Sequence, residues 1–120
     1  MTGKSHVLVN IYAAEVAEGY ESLFRIFQMA MDQAQFGKGR KRHAEDGKPF
    51  ETQDICREAQ DLGLAAPIYQ ARKKAKEALR LDPEKAVEDL LGAINYLAAA
   101  VIVIEETKER ERKDRCTNLK

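Results

Sequence analysis

Cationic side chains are concentrated in one glycine-containing stretch of the sequence, residues 37–53, which reads GKGRKRHAEDGKPFETQ. Its basic residues and its histidine are Lys38, Arg40, Lys41, Arg42, His43 and Lys48. The glycines let the backbone approach a ligand closely and can expose amide donors, and arginine offers paired donors to phosphate or carboxylate oxygens. We predict an anion-binding loop, most simply for a phosphate-bearing ligand. The alternative is a solvated connection between helices, because loops are usually polar.

A second basic feature lies in the segment PIYQARKKAKEALRL, residues 67–81. Arg72, Lys76 and Arg80 recur at steps of four, so a helix places them on one flank, where like charges repel weakly unless an anion lies between them. Tyr69 stands beside this flank and could stack on a base. The alternative is a solvent-facing charged flank. We predict that Tyr69, Arg72, Lys76 and Arg80 bind the ligand together with the residues of the basic loop. The loop and this flank could meet within one subunit or across two.

An acidic pair, Glu15 and Glu18, falls on one helical face at a spacing that could hold a divalent cation through oxygen ligands. Here the chain resembles the all-α nucleoside triphosphate pyrophosphatases of the MazG-like group, which pair a Glu-x-x-Glu helix with a later Glu-x-x-Asp helix around magnesium. We take Glu58-Ala-Gln-Asp61, downstream on a short helix, as the later motif. The resemblance implies an enzyme alternative, a magnesium-dependent pyrophosphohydrolase with Glu15 and Glu18 as metal ligands. The alternative to a metal site is that Glu15 and Glu18 are a solvent-facing acidic pair on an amphipathic helix.

Other catalytic patterns are missing from the sequence. It contains no Ser-His-Asp, Cys-His, Walker-type or dinucleotide-binding glycine pattern. Cys56 lies between Asp54 and Glu58, without the electropositive setting of a reactive thiol, so we expect a structural cysteine. We assign no catalytic residue, and we expect no cofactor unless the magnesium alternative holds.

A broader likeness covers most of residues 36–104. The segments GKGRKRHAEDGKPFETQDI, QARKKAKEALRL and EDLLGAINYLAAA are similar to small uncharacterised helical proteins of bacteriophages. This resemblance implies a phage-type accessory protein in the host cytoplasm. The roles that this resemblance implies, by analogy alone, are nucleotide metabolism or sequestration of host nucleotide signals, which is an anti-defence role.

Composition predicts one intracellular domain. A chain of 120 residues can bury roughly two thirds of its unfolded surface. Twenty basic and twenty acidic residues cancel, so no global charge attracts nucleic acid or a membrane surface. Two cysteines do not make a disulfide framework, which fits a reducing cytoplasm. The longest uninterrupted apolar run, residues 97–104, is too short to cross a bilayer.

Helical periodicity predicts an all-α bundle with two long and two shorter helices. We expect the long helices at about 5–36 and 83–112 and the shorter ones at about 52–62 and 66–80. Gly19 should cause a bend or a close contact in the first helix, and Gly37 should end it. Glu51 or Thr52 should cap the second helix. The core stripe of the third should be Ile68, Ala71, Ala75 and Leu79.

The last helix should begin at Asp82-Pro83-Glu84, which supplies a capping aspartate, a first-turn proline and a first-turn acid. Its middle is apolar nearly all round, so it must be surrounded by other helices or by another subunit. We therefore expect a homo-oligomer, most simply a dimer. Asn95 should fix helix register by hydrogen bonding, or else face a ligand. Residues 1–112 would form the domain and 113–120 a disordered charged tail.

The function that we predict from the sequence is non-catalytic binding or sequestration of a phosphate-bearing small molecule, such as a nucleotide or a nucleotide-derived immune signal. Two alternatives remain open. One is the magnesium-dependent pyrophosphohydrolase, and the other is a helical bundle that acts through protein–protein contact. Nucleic acid is a weaker ligand class, because aromatic residues do not interleave with the basic cluster.

Overall fold

The computed structural model describes residues 16–38, 40 and 47–118, and every regular element in them is helical. Helix α1 spans Glu21–Phe36, α2 spans Asp54–Leu62, α3 spans Ala65–Ala78 and α4 spans Pro83–Asn118. A single 3₁₀ turn, Phe50–Thr52, precedes α2. The predicted all-α class is confirmed.

Helix α1 begins later than the sequence suggests. Residues 16–20 are not helical, because Gly19 takes φ +94°, a conformation that L side chains rarely adopt. The Gly19 N–H donates to Glu21 Oε1 at 3.0 Å, which closes the turn. The prediction of one helix over 5–36 is therefore wrong at residues 16–20, and its part before Val16 lies outside the described residues. Gly37 follows Phe36, the last residue of α1, and the described residues Lys38 and Arg40 are helical again, so the predicted loop over 37–53 is wrong at these two positions.

The two short helices are close to their predicted bounds, but neither predicted cap forms. Glu51 and Thr52 belong to the 3₁₀ turn, where Thr52 Oγ1 donates to the Pro49 carbonyl at 3.0 Å. Helix α2 therefore starts at Asp54, two residues after the predicted start. Gly63 takes φ +93° after α2 and allows the tight turn into α3.

Helix α4 starts as predicted and ends later. Asp82 Oδ1 accepts a hydrogen bond from the Lys85 N–H at 3.0 Å, and Pro83 occupies the first position. The helix continues to Asn118, six residues beyond the predicted end at Arg112. At 1.5 Å per residue its 36 residues span about 54 Å, which accounts for the 57 Å longest dimension of the chain. The disorder predicted for residues 113–120 stays a prediction.

The core is built largely from small side chains around α4. Helix α3 makes the most extensive contact with α4, followed by α1 and α2. The buried cluster consists of Ile55, Cys56, Ala59, Ala71, Ala93, Tyr96, Ala99 and Val103. Small residues let the helix axes approach closely, so this core holds the bundle with few large side chains.

The predicted core stripe of α3 is mostly wrong. Ala71 is buried against α4, as expected. Ile68, Ala75 and Leu79 are exposed, and Leu79 keeps 88% of its surface accessible. The side of α3 that packs consists of Pro67 and Ala71, with Lys74 and Ala78 half-buried next to them.

Side-chain amides attach α1 to α4. Asn95 Nδ2 donates to the Ala30 carbonyl at 3.0 Å, and Gln33 Nε2 donates to the Glu88 carbonyl at 2.9 Å. Ala30 is the buried residue of α1. Asn95 therefore hydrogen-bonds between helices, which is the first of its two predicted roles.

Candidate functional site

Helix α4 carries a second apolar side that the other described helices do not bury. Six residues define what we call the outer face of α4: Val87, Leu90, Ile94, Leu97, Val101 and Ile104. Five of them keep between 41% and 57% of their surface accessible, and Ile94 is half-buried. Helical geometry sets this face roughly opposite the buried residues Gly92, Tyr96, Ala99 and Val103. The outer face thus consists of branched aliphatic side chains, whereas Gly92, Ala93, Ala99 and Ala100 are among the buried residues of α4.

Helix α1 also presents large apolar side chains to solvent. Leu23, Phe27 and Met31, with Tyr20 just before the helix, are each at least 50% exposed. Their spacing puts them on one side of Ala30, while Gln33 lies on the other. Like the outer face of α4, this stripe is a row of exposed apolar side chains at helical spacing rather than a single exposed residue.

The basic loop is described only in part. Lys38 Nζ forms an ion pair with Glu88 Oε1 at 2.7 Å, and both side chains are about half exposed. Arg40 and Lys48 are exposed. Lys41, Arg42 and His43 lie outside the described residues. In the described part, Lys38 faces a carboxylate of α4 rather than an open anion site.

The basic flank of α3 comes together as predicted from the spacing. Tyr69, Arg72, Lys76 and Arg80 line one open groove of about 290 Å³, together with Lys73 and Glu77. All six residues are exposed; five lie on α3, and Arg80 lies in the turn that follows its end at Ala78. Tyr69 is 62% exposed, so one of its faces is available for stacking. Four cationic side chains thus line the groove, and all four stay exposed to water.

The described part of the loop and the α3 flank line different cavities. Lys38 lies on a small cavity between α1, α3 and α4, along with Lys74, Glu88 and Asn95. This cavity encloses about 20 Å³, room for about one water molecule. None of the residues around the α3 groove lines it. The described cations therefore do not share a pocket of nucleotide size within one subunit.

The acidic residues of the enzyme alternative lie apart as far as they are described. Glu18 is exposed at the turn before α1, and Glu58 and Asp61 are exposed on α2. Glu15 lies outside the described residues. Among residues 16–38, 40 and 47–118, no group of three His, Cys, Asp or Glu residues could hold a metal ion. The magnesium-dependent alternative stays a prediction.

The two cysteines lie in opposite environments. Cys56 is fully buried in the core, and Cys116 is exposed near the end of α4. Burial, followed by the carboxylates of Glu106 and Glu51, raises the pKa of the Cys56 thiol to about 11. Cys56 is thus protonated at neutral pH, which fits a structural thiol rather than a nucleophile.

Comparison with known proteins adds no family to this description. No protein-family model matches the chain, and neither a curated protein nor a solved structure is significantly similar to it. The likenesses to MazG-like pyrophosphatases and to phage proteins thus depend on the quoted residues alone. Any function must be argued from the surface chemistry of the chain.

Helix α4 satisfies a length and composition test for crossing a membrane. An 18-residue window in it reaches a mean hydropathy of 1.8 with no more than two charged residues, and 33% of that window is buried within the chain. Core helices of soluble proteins satisfy the same test. The window is longer than the uninterrupted apolar run at residues 97–104 because it admits interrupting residues. The predicted cytoplasmic location stays a prediction.

The outer face of α4 is the feature that sequence reasoning missed. Its residues are separated by alternating steps of three and four, a signal present in the sequence. The prediction that α4 is apolar nearly all round does not distinguish this face from the buried side. The structure separates Leu91, which is buried, from Val87 and Val101, which are exposed.

Proposed function

We propose that this chain is a non-catalytic protein-interaction bundle whose working surface is the outer face of α4. One observation carries the proposal: five of the six branched aliphatic side chains on the outer face of α4 are exposed, and the sixth, Ile94, is half-buried. Burying a side chain of this type contributes about 1.5 to 3 kcal/mol relative to full exposure. Covering the face by protein would therefore be favourable, whereas leaving it in water favours non-specific association.

The cavity beside Lys38 is too small to hold a nucleotide. The cavity beside Lys38 encloses about 20 Å³, whereas ligand pockets usually enclose about 300 to 1,000 Å³. A larger open groove of about 650 Å³ lies along Leu64, Val103 and Ile104, where α4 leaves the bundle. It adjoins the end of the outer face and is lined by charged residues as well as apolar ones, as the rim of a protein interface is.

A matched pair of substitutions tests this role. Leu97 on the outer face and Ile68 on α3 are both 49% exposed, so a glutamate at either position should leave the isolated fold intact. We expect the wild-type chain in a cell extract to elute from a sizing column above its monomer mass of 13.5 kDa. Leu97→Glu should elute as a monomer, because a carboxylate would be buried without a partner. Ile68→Glu should elute like the wild type, and circular dichroism should show both variants folded. A wild-type monomer in the extract would contradict the proposal.

A second candidate function is binding of a phosphate-bearing ligand at the α3 groove. It is favoured by the gathering of Arg72, Lys73, Lys76 and Arg80 beside the exposed ring of Tyr69. The exposure of these cations implies weak binding that is strongly reduced by salt. The undescribed part of the basic loop, Lys41, Arg42 and His43, would add to the site only if it reached the groove, within one subunit or across two.

Calorimetry at low salt tests the ligand-binding candidate with nucleoside triphosphates and cyclic dinucleotides as probes. The double variant Arg72→Glu/Arg80→Glu should weaken binding at least about tenfold, a change of about 1.4 kcal/mol. Lys113→Glu, an equally exposed charge reversal on the α4 tail, is the control and should leave binding unchanged. Absence of heat with every probe would exclude this function for the groove.

A further inference from the structure

The outer face of α4 has the spacing of a helix–helix interface. Its six positions run 87, 90, 94, 97, 101 and 104, with steps of three, four, three, four and three. This heptad spacing keeps an apolar seam facing one partner helix over the whole length. At 1.5 Å per residue the seam is about 26 Å long. A partner that fits it is another helix of similar length with the same spacing.

The seam is self-complementary when the second helix runs in the opposite direction. Reversing α4 about a point between Asn95 and Tyr96 brings Val87 opposite Ile104. The same reversal brings Leu90 opposite Val101 and Ile94 opposite Leu97. Each of these three contacts then joins two apolar residues, and each contact occurs twice, once on either side of the two-fold axis. This is the pattern of an isologous interface around a two-fold axis.

Charge beyond the seam distinguishes the two possible directions. Continuing the same spacing leads to Lys108, Glu111 and Arg115, all exposed. A parallel pair would place each of these charges against its own copy, so like charges would meet in three layers. An antiparallel pair instead places Lys108 near the start of the other α4, where Asp82 and Glu84 are exposed.

We propose that the partner of the outer face is a second copy of this chain, paired antiparallel through α4 about a two-fold axis between Asn95 and Tyr96. This inference rests on the proposed function and adds to it the identity and direction of the partner. Lys108 of each copy lies at the acidic start of the other helix, which adds complementary charge at both ends of the seam. The small residues on the inner side of α4 hold the bundle, and the branched residues on the outer side hold the pair.

Cysteine cross-linking tests the direction of the pair. The background is Cys116→Ser, because Cys116 is exposed, whereas the buried Cys56 can stay. Val87→Cys and Ile104→Cys are made separately and together. In the antiparallel pair, residue 87 of one copy lies opposite residue 104 of the other, while two copies of either residue are about 26 Å apart. A disulfide needs Cα atoms within about 7 Å.

The expected result with purified protein under mild oxidation is a cross-linked dimer from the double variant and from an equimolar mixture of the two single variants. Each single variant alone should stay uncross-linked. Cross-linking of each single variant alone would mean a parallel pair and would overturn the inference while leaving the proposed function in place. A purified chain that is monomeric, but that elutes in a larger complex or with membranes in the extract, would overturn self-pairing. A monomer in both preparations would overturn the proposed function as well.

Discussion

At the residue scale, Cys56 shows how the bundle sets the chemistry of a side chain. The thiol is fully buried, and the nearby carboxylates of Glu106 and Glu51 add to the cost of a thiolate. Its pKa of about 11 lies above the ordinary value of 9.0. Cys116 is exposed on the α4 tail and lacks this protection. The two thiols should therefore differ in reactivity although both are free.

The first prediction concerns thiol reactivity. At pH 8 a chromogenic disulfide reagent should modify one thiol per folded chain, that of Cys116, and the second only after unfolding in denaturant. Burial and protonation both slow the reaction of Cys56. The control is Cys116→Ser, which should show no fast reaction when folded. A fast phase in that variant would contradict the assignment of Cys56 to the core.

The raised pKa of Cys56 also predicts how stability changes with pH. Below pH 9 the thiol is protonated in both states, so its contribution to stability is fully present. Between pH 9 and about 11 the unfolded thiol ionises while the folded one stays protonated, and the free energy of unfolding falls by roughly 2 to 3 kcal/mol. Denaturant titrations across this range should show a steeper loss in the wild type than in Cys56→Ala. Parallel pH profiles for the two proteins would contradict this prediction.

At the element scale, α4 has two apolar sides that differ in side-chain size. The inner side uses Gly92, Ala93 and Ala99, which let the other helices approach closely, and the outer side uses branched residues. Periodicity in the sequence predicted that α4 is apolar nearly all round. It could not tell which side faces the bundle, because both sides satisfy the helical period. Close packing decides which side faces the bundle, because small side chains let the helices approach each other. On α3 likewise, Ala71 faces inward and Leu79 faces outward.

The helix boundaries show where local sequence rules suffice and where they do not. The start of α4 was predictable because aspartate and proline satisfy the helix end by themselves. The sequence predicts a bend or a close contact at Gly19, but its φ of +94° marks a turn that closes before α1. A positive φ cannot be read from an isolated glycine within an apolar period.

The capping aspartate of α4 gives an element-scale prediction. Asp82→Ala removes the hydrogen bond between Asp82 Oδ1 and the Lys85 N–H, so it should lower the free energy of unfolding by about 1 kcal/mol. Asp82→Ser should restore most of the loss, because its hydroxyl can accept the same bond. Urea denaturation of the three proteins measures the difference. Equal stability of Asp82→Ala and the wild type would show that the cap contributes nothing.

At the scale of the whole molecule, the candidate site was only partly predictable. The grouping of Arg72, Lys76 and Arg80 follows from helical spacing, and the three residues line one groove. The relation of that groove to the basic loop depends on tertiary packing, which pairs Lys38 with Glu88 instead. Sequence spacing carries no information about which side of a bundle a loop reaches. The outer face of α4 was readable from its three- and four-residue steps, yet its exposure became evident only from the packing of α3 and α1.

If the outer face of α4 pairs two copies of the chain, the stability of the protein depends on its concentration. Unfolding of a dimer also separates its chains, so a higher concentration favours the folded pair and raises the melting temperature. We expect the melting temperature of the wild type to rise by several degrees between about 1 and 100 µM. Over that range the free energy of unfolding changes by about one to two kcal/mol per chain, and such a change shifts the melting temperature of a small domain by several degrees. Leu97→Glu should melt at a lower temperature that is the same at every concentration. Ile68→Glu, equally exposed on α3, should keep the concentration dependence of the wild type. A wild-type melting temperature that does not change with concentration would mean that α4 is stable with its outer face uncovered, and the small inner core would then have to hold the fold alone.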